Sequence, residues 1–244
     1  MLGVIIVSHR GPYTFVEGPD GDLVPKRGAG GVVSALGPLL HGGLDGETHP
    51  PTWIAAAIGA GEREAAQRED VHLPGVDLAL LALPEEEHRL HYDVVSNEVL
   101  WFLHHGIFDH VRAPSFGAEF LHAWDAYRAI NQRFADAVCD RARDGDIVFV
   151  QDYQLALVPA MVMDKRPDLH VLHFTHIPFC GPNSIRTLPE AVALEYCGAL
   201  ARVTTGFHSE RWARAYQASA HEVLGTAPVT PSFTVPLGPD PDAL

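Results

Sequence analysis

Short uncharged segments rich in Val and Ile alternate in this chain with longer segments whose apolar residues recur at helical spacing. The first, residues 2–8, reads LGVIIVS, as expected for a parallel strand covered on both faces. Further strands are predicted at 52–58, 78–83, 147–150, 171–174, 203–206 and 233–236. Helices are predicted at 31–40, 94–104, 119–143, 155–163, 189–200 and 209–224. This alternation predicts an α/β fold built on a doubly wound parallel sheet.

The charge of the chain argues against a nucleic-acid partner. Its 244 residues carry 17 Lys and Arg against 31 Asp and Glu, a formal net charge of −14, and an acidic surface repels phosphodiester backbones. A local basic pocket for a small phosphorylated ligand remains compatible with that charge. Cys139, Cys180 and Cys197 form no CxxC pair, which is typical of a reducing cytosol. Since no apolar run approaches the length of a membrane-spanning helix, we expect a cytoplasmic protein without a membrane partner.

The residues that follow the strands are the candidate ligand-binding residues, because doubly wound sheets bind ligands at the carboxyl ends of their strands. Arg10 follows the first strand and can grip a phosphate through two N–H groups. Gly30 and Gly31 open a predicted helix, where backbone N–H groups can approach a phosphate. An ordinary tight turn, with Arg10 in a surface ion pair, explains the same residues equally well.

Two further strand ends carry polar side chains. Asp152 follows the strand at 147–150 and can accept hydrogen bonds from sugar hydroxyls or orient a reacting one, although taken alone it is better explained as a helix N-cap. His170, His173 and His176 recur at a spacing of three. Successive members of such a series point to opposite faces of a strand, which argues against a zinc site. His176, at the strand end, remains a candidate for hydrogen bonding a ligand.

Tyr92 and Trp101 flank a helical segment and form a possible sugar-binding platform. Aromatic rings often line sugar sites because they present flat apolar faces. A helical aromatic stripe is nonetheless more often part of the core.

Taken together, the motifs resemble the trehalose-6-phosphate synthase family, retaining glycosyltransferases of the two-domain GT-B class. The matching runs are Ser8-His9-Arg10-Gly11-Pro12, Arg27-Gly28-Ala29-Gly30-Gly31, Thr52-Trp53-Ile54, Tyr92 to Trp101, Gln151-Asp152-Tyr153-Gln154-Leu155, His176-Ile177-Pro178-Phe179 and Gly206-Phe207-His208-Ser209. The resemblance spans residues 4–238. It implies that a Rossmann-like domain, 1–238, is the N-terminal, acceptor-binding half of a GT-B enzyme, and that 239–244 begin a linker to a C-terminal domain, present in cis or in trans.

The resemblance also implies an activity and residue roles. Members of the family transfer glucose from a nucleotide-glucose donor to the 1-hydroxyl of glucose 6-phosphate, with retention and without a metal or other cofactor. The implied acceptor-binding residues are Arg10, Trp53, Tyr92, Trp101, Asp152 and Ile177. Those on the donor side are Gly30, Gly31 and His176, and Asp152 and His176 are the implied catalytic residues. We expect this half alone to bind glucose 6-phosphate weakly and to transfer almost nothing.

Three positions depart from the pattern of the family. His9 stands where the family usually has Asn, and Gln151 and Gln154 stand where it usually has His. An amide keeps its hydrogen-bonding capacity but cannot carry a positive charge, so these changes can alter donor or acceptor preference.

Other readings remain open. One is a non-catalytic sugar-phosphate binding or regulatory module, and another is a paralogue with a different acceptor, such as glycerol 3-phosphate or a pseudo-sugar. The donor nucleotide is open between UDP, GDP and ADP, and an exposed inter-domain face would allow a homo-oligomer.

Overall fold

The computed structural model describes residues 2–28, 31–36, 50–68, 73–108, 114–228 and 230–236. Within them, seven parallel strands form one sheet in the order β5-β4-β1-β6-β7-β8-β9, and β2 and β3 form an antiparallel hairpin. The strands are β1 (Val4–Val7), β2 (Tyr13–Glu17), β3 (Leu23–Arg27), β4 (Thr52–Ala56), β5 (Asp77–Leu81), β6 (Ile147–Gln151), β7 (His170–Thr175), β8 (Thr204–Phe207) and β9 (Ser232–Thr234).

Helices connect the strands and cover the sheet. The α-helices are α1 (Gly31–Leu36), α2 (Ala60–Ala65), α3 (Glu85–Arg89), α4 (Phe102–His105), α5 (Ala118–Arg141), α6 (Val158–Lys165), α7 (Pro182–Ile185), α8 (Glu190–Leu200) and α9 (Glu210–Leu224). A π-helix, Leu90–Trp101, joins α3 to α4, and a 3₁₀ turn, Tyr153–Leu155, follows β6. In the described part of the chain, none of these helices is long and apolar enough to cross a membrane.

The predicted parallel α/β sheet is confirmed. Each predicted strand is present, with its ends within two residues of the predicted ones. The β2–β3 hairpin was not predicted. Most residues of the hairpin are exposed. Its strands therefore lack the continuous uncharged run that identified the strands of the main sheet.

The order of the strands fixes where a ligand crevice can lie. β1 pairs with β4 on one side and with β6 on the other, so the direction in which the chain winds reverses at β1. In doubly wound sheets the crevice opens at the carboxyl ends of the two strands that flank such a reversal. Here those strands are β1 and β6, which end immediately before Ser8 and Asp152.

The long helix α5 fixes the chain that leaves β6. The buried Tyr127 hydroxyl donates to the Tyr153 carbonyl at 2.5 Å and accepts from the Ala156 amide at 3.2 Å. One turn further along α5, the buried Asn131 donates to the Gln154 carbonyl and accepts from the Leu157 amide, both at 3.1 Å. These two side chains satisfy the backbone of a turn that would otherwise carry unpaired buried groups.

We therefore expect Tyr127→Phe to lower the free energy of unfolding by about 2 kcal/mol, because it leaves the Tyr153 carbonyl and the Ala156 amide without their buried partner. Urea denaturation followed by circular dichroism measures the change. Tyr13→Phe is the matched control, since the Tyr13 hydroxyl has no hydrogen-bond partner among the described residues. Equal effects of the two substitutions would contradict this role for Tyr127.

Candidate functional site

A cavity of about 160 Å³ opens at the predicted crevice, at the carboxyl ends of β1 and β6. Its lining combines residues from the loop after β1, from α1, from the π-helix, and from the end of β6 and the turn that follows it. The lining residues are Ser8, His9, Arg10, Gly31, Val32, Val33, Tyr92, Gln151, Asp152 and Gln154. Four of the predicted site residues therefore share one cavity although they are far apart in the sequence.

Two hydrogen bonds of the Ser8 hydroxyl fix the loop that carries Arg10. The Ser8 hydroxyl donates to the Arg10 carbonyl at 2.6 Å and accepts from the Trp53 indole N–H at 2.7 Å. The Arg10 side chain is exposed at the cavity, and no described residue forms a hydrogen bond or ion pair with its guanidinium. The backbone positions this cation, and none of the groups that the structure describes competes with an anion for it.

Trp53 does not line the cavity. It is fully buried in β4, packed in the core cluster with Ile6 and Ala55, so the expectation that it forms a wall of the acceptor pocket is not met. Its indole instead supports Ser8 and, through Ser8, the loop of Arg10.

Tyr92 reaches the cavity from the π-helix. π-Helices are rare and usually one turn long, whereas this one spans 12 residues. Residues five apart share a face in such a helix, so Tyr92 and Asn97 lie on the same side. Tyr92 stacks on His9 with the ring centroids 4.3 Å apart, and Asn97 accepts a hydrogen bond from the Tyr153 hydroxyl at 3.3 Å. The helix thus contacts both strand ends that border the cavity.

Asp152 has a strained backbone. Its φ of 69° and ψ of 168° lie in a region that is almost restricted to glycine. Its amide donates to the Phe174 carbonyl at 2.7 Å, and its carbonyl accepts from the Leu155 amide and the His173 ring, both at 3.1 Å. Such strain persists where the surroundings over-determine the conformation, and it concentrates at functional sites.

Asp152 stands at the N-cap position of the 3₁₀ turn, as predicted, but its carboxylate forms no capping hydrogen bond there. It reaches to the end of β7, where Oδ1 accepts from the His176 amide at 3.0 Å. Burial raises the pKa of Asp152 to about 6, against the lowering effect of hydrogen bonds from the His176, Tyr153 and Ile177 amides. The group is an acceptor of hydrogen bonds above that pH.

His176 is held in one tautomer by its neighbours. The Gln151 amide nitrogen donates to the Phe149 carbonyl at 3.2 Å, so its oxygen faces His176 Nε2 at 2.9 Å and requires a proton there. His176 Nδ1 then accepts, and His208 Nε2 lies 3.3 Å away. Burial, followed by His208 and His173, lowers the pKa of His176 to about 3, so the ring is neutral at physiological pH.

The other predicted residues lie around this centre. Trp101 and Ile177 are both partly buried against one core cluster, which is not the cluster that contains Trp53. Neither residue lines the cavity. Trp101 packs on His105 with the ring centroids 4.1 Å apart. Gly31 lines the cavity, and no atom of the described residues lies within 4 Å of where a Cβ would stand. Gly30 and the linker 239–244 lie outside the described residues.

The three-histidine run behaves as expected for a strand. His170 is exposed, His173 is fully buried, and His176 lies past the strand end. Across the residues described, no group of three or more His, Cys, Asp or Glu side chains is placed to hold a metal ion.

Three contributors to the site were missed. Ser8 and His208 belong to recognised motifs and follow strands, so the strand-end rule that selected Arg10 and His176 would have found them. His88 lies in an acidic helix and bonds to His9 across the fold, and no local sequence signal indicates this contact.

A profile of glycosyltransferase family 20 matches residues 3–235. The chain belongs to this family. The trehalose-6-phosphate synthase of Mycolicibacterium vanbaalenii is 34% identical over 224 residues, which cover 91% of this chain and 43% of that protein. The motif resemblance is therefore confirmed, and the chain spans less than half the length of this relative.

Solved structures support the fold. An E. coli structure bound with UDP-2-fluoro glucose superposes with a TM-score of 0.72 at 22% identity, covering 98% of this chain and 50% of that one. An α,α-trehalose-phosphate synthase (UDP-forming) from Burkholderia xenovorans in complex with glucose 6-phosphate gives 0.66 at 20% identity, with 88% and 42% covered. At these identities the likeness shows the fold alone, a Rossmann-like α/β fold that corresponds to half or less of each of those chains.

The strain at Asp152 predicts that glycine is more stabilising than alanine at this position, the reverse of the usual order. Asp152→Ala removes the carboxylate but keeps the strained backbone. Asp152→Gly also removes the carboxylate, and it relieves the strain because glycine adopts this conformation readily. We expect the glycine variant to have the higher free energy of unfolding, by about 1 kcal/mol. Urea denaturation of both variants measures the difference. Asp125, exposed within α5, provides the control pair, in which glycine should be the less stable by about 1 kcal/mol; the same order at both positions would refute the strain.

The raised pKa of Asp152 predicts that replacing its carboxyl with a neutral amide increases the free energy of unfolding in a pH-dependent way. Its folded pKa of about 6 exceeds the unfolded value of about 4, so its contribution to stability is lost as pH rises through this interval. We expect Asp152→Asn to gain stability relative to wild type between pH 4.5 and 6, by on the order of 1 kcal/mol, and the gain to level off by pH 8. Urea denaturation at these pH values measures it.

Asp168→Asn is the matched control, because Arg166 lowers the pKa of Asp168 to about 2. The sign is then opposite, and this variant should be less stable than wild type across the same pH range. An Asp152→Asn curve that runs parallel to that of wild type would show that the Asp152 carboxyl is not destabilised by burial.

Proposed function

We propose that this chain is the acceptor-binding half of a retaining hexosyltransferase, which moves glucose from a nucleotide-glucose donor to glucose 6-phosphate to form trehalose 6-phosphate. One observation carries the proposal: Arg10, Gly31, Tyr92 and Asp152 line a single cavity at the switch point of the sheet. The family and the bound molecules named for the two solved relatives agree with a sugar phosphate and a nucleotide-sugar as ligands.

Arg10 supplies the charge that selects a phosphorylated acceptor. Its guanidinium has no described partner to compete with a ligand, and a guanidinium binds phosphate oxygens through two parallel hydrogen bonds. The Tyr92 ring borders the same space and offers both an apolar face and a hydroxyl. A neutral hexose lacks the group that Arg10 recognises, so the phosphate is the main determinant of binding here.

Asp152 and His176 are proposed to position the reacting groups. The Asp152 carboxylate, fixed by the His176 amide, accepts hydrogen bonds from acceptor hydroxyls, and His176 lies beside it on the donor side. Both His176 ring nitrogens have partners, so the ring orders this edge of the crevice as a neutral group. Catalysis then depends on positioning and on stabilising the leaving pyrophosphate, and no metal ion is part of the proposal.

The donor half of the reaction requires a second domain. This chain covers 43% of the length of its M. vanbaalenii relative, and we infer that the remainder of such an enzyme supplies the contacts to the donor phosphates and nucleotide. Transfer by this chain is accordingly proposed only together with that domain.

Isothermal titration of this chain with glucose 6-phosphate and with glucose tests the proposal. We expect glucose 6-phosphate to bind and glucose to bind at least tenfold more weakly. Arg10→Ala should raise the dissociation constant for glucose 6-phosphate about 10- to 100-fold, because it removes charge-assisted hydrogen bonds worth about 1.5–3 kcal/mol.

Arg143→Ala is the matched control. Arg143 is also exposed, but it precedes β6 and so lies at the opposite edge of the sheet from the cavity. This variant should bind like wild type. Equal binding of glucose and glucose 6-phosphate, or an unchanged affinity in Arg10→Ala, would refute the assignment of the phosphate site.

A further inference from the structure

Two imidazole rings meet beside Arg10 in a contact that the motifs did not indicate. Nε2 of His9 and Nε2 of His88 are 2.9 Å apart, and the ring planes are parallel within 5°. Tyr92 lies parallel to both rings, with centroids 4.3 Å from His9 and 5.8 Å from His88. His9 is buried and lines the cavity, whereas His88, on α3, is only half-buried.

A contact between two imidazole nitrogens holds one proton. In the neutral pair, one Nε2 carries hydrogen and donates to the lone pair of the other. A second proton can add to Nδ1 of the ring that donates, because that nitrogen carries a lone pair in the neutral pair. The bond between the two Nε2 atoms then remains and becomes charge-assisted, so the pair can hold one positive charge without opening.

The surroundings keep the pair neutral in the absence of a ligand. Burial is the largest cause that lowers the pKa of His9 well below its ordinary value, and His91, His88 and Arg10 lower it further. Burial also lowers the pKa of His88, which faces Asp93 and Arg63; Asp93 opposes this effect and Arg63 adds to it. An anion bound at Arg10 would reverse the sign of the field at these rings.

We propose that the His9–His88 pair is a second recognition element for the phosphate, and that binding of a phosphomonoester dianion at Arg10 draws one proton onto the pair. This inference rests on the proposed function, since it takes the acceptor phosphate to lie at Arg10. The proton comes from the buffer and adds to the Nδ1 lone pair of the ring that donates. The bond between the rings is kept as a charge-assisted hydrogen bond, and the pair places one positive charge beside Arg10 to face the phosphoryl oxygens.

The charges support this assignment. A phosphomonoester carries close to two negative charges at neutral pH, of which Arg10 balances one, and the protonated pair balances the other. An asparagine at position 9, the residue usual in the family, cannot take up a proton. The proton-linked recognition is therefore a property of chains with histidine at positions 9 and 88.

Titration calorimetry in buffers of different ionisation enthalpy measures the linked proton. At pH 7 the slope of the observed binding enthalpy of glucose 6-phosphate against the buffer's ionisation enthalpy gives the number of protons taken up. We expect close to one proton for the wild-type chain, and affinity that increases from pH 8 to pH 7. In His88→Gln the uptake should disappear while binding persists, because glutamine keeps polar groups at this position but cannot be protonated.

His170→Gln is the matched control, because His170 is an exposed histidine at the start of β7, at the edge of the sheet opposite the cavity. On binding glucose 6-phosphate, this variant should take up as many protons as wild type. His9→Asn is a second variant that should lose the uptake, with folding of every variant checked by circular dichroism. Binding without proton uptake in wild type, or uptake that survives in both His88→Gln and His9→Asn, overturns this inference alone. Absence of phosphate-dependent binding in wild type overturns the proposed function and this inference with it.

Discussion

The site depends on the register between β1 and β6. Val7 pairs with Val150, so the apolar parts of both strands end at the same level of the sheet. The polar residues that follow, Arg10 after β1 and Asp152 after β6, therefore emerge side by side although 142 positions separate them. A shift of one residue in this pairing would turn one set of side chains to the other face. The parallel pairing thus creates the cavity before any ligand-binding side chain is considered.

The sequence predicts features that follow from local patterns and misses those that depend on distant packing. The strands were found because a buried parallel strand is a continuous apolar run. That same continuity hides the direction of each side chain: β4 is almost entirely buried, so Trp53 could not be assigned to the core or to the cavity from its position. The contact of His88 with His9 requires α3 to fold back onto the β1 loop, and nothing in the residues near His88 indicates it.

The strained residue at the end of β6 is held by an unusually complete set of hydrogen bonds. The Asp152 amide, carbonyl and carboxylate all have partners, and His173 and His176 on β7 and just beyond it provide two of them. These bonds offset a backbone conformation that costs of order 1–3 kcal/mol. The bond from the His176 amide holds the carboxylate in place without a ligand, which lowers the ordering cost for any ligand that meets it.

Two of the three positions that depart from the family pattern, His9 and Gln151, contact other histidines. Gln151 contacts His176 through an amide that cannot titrate, and His176 is neutral near pH 7 because it is buried. His9 instead places a titratable ring beside Arg10, in contact with a second histidine. Relative to a chain with Asn at position 9 and His at position 151, this chain has one titratable ring fewer beside His176 and one more beside Arg10.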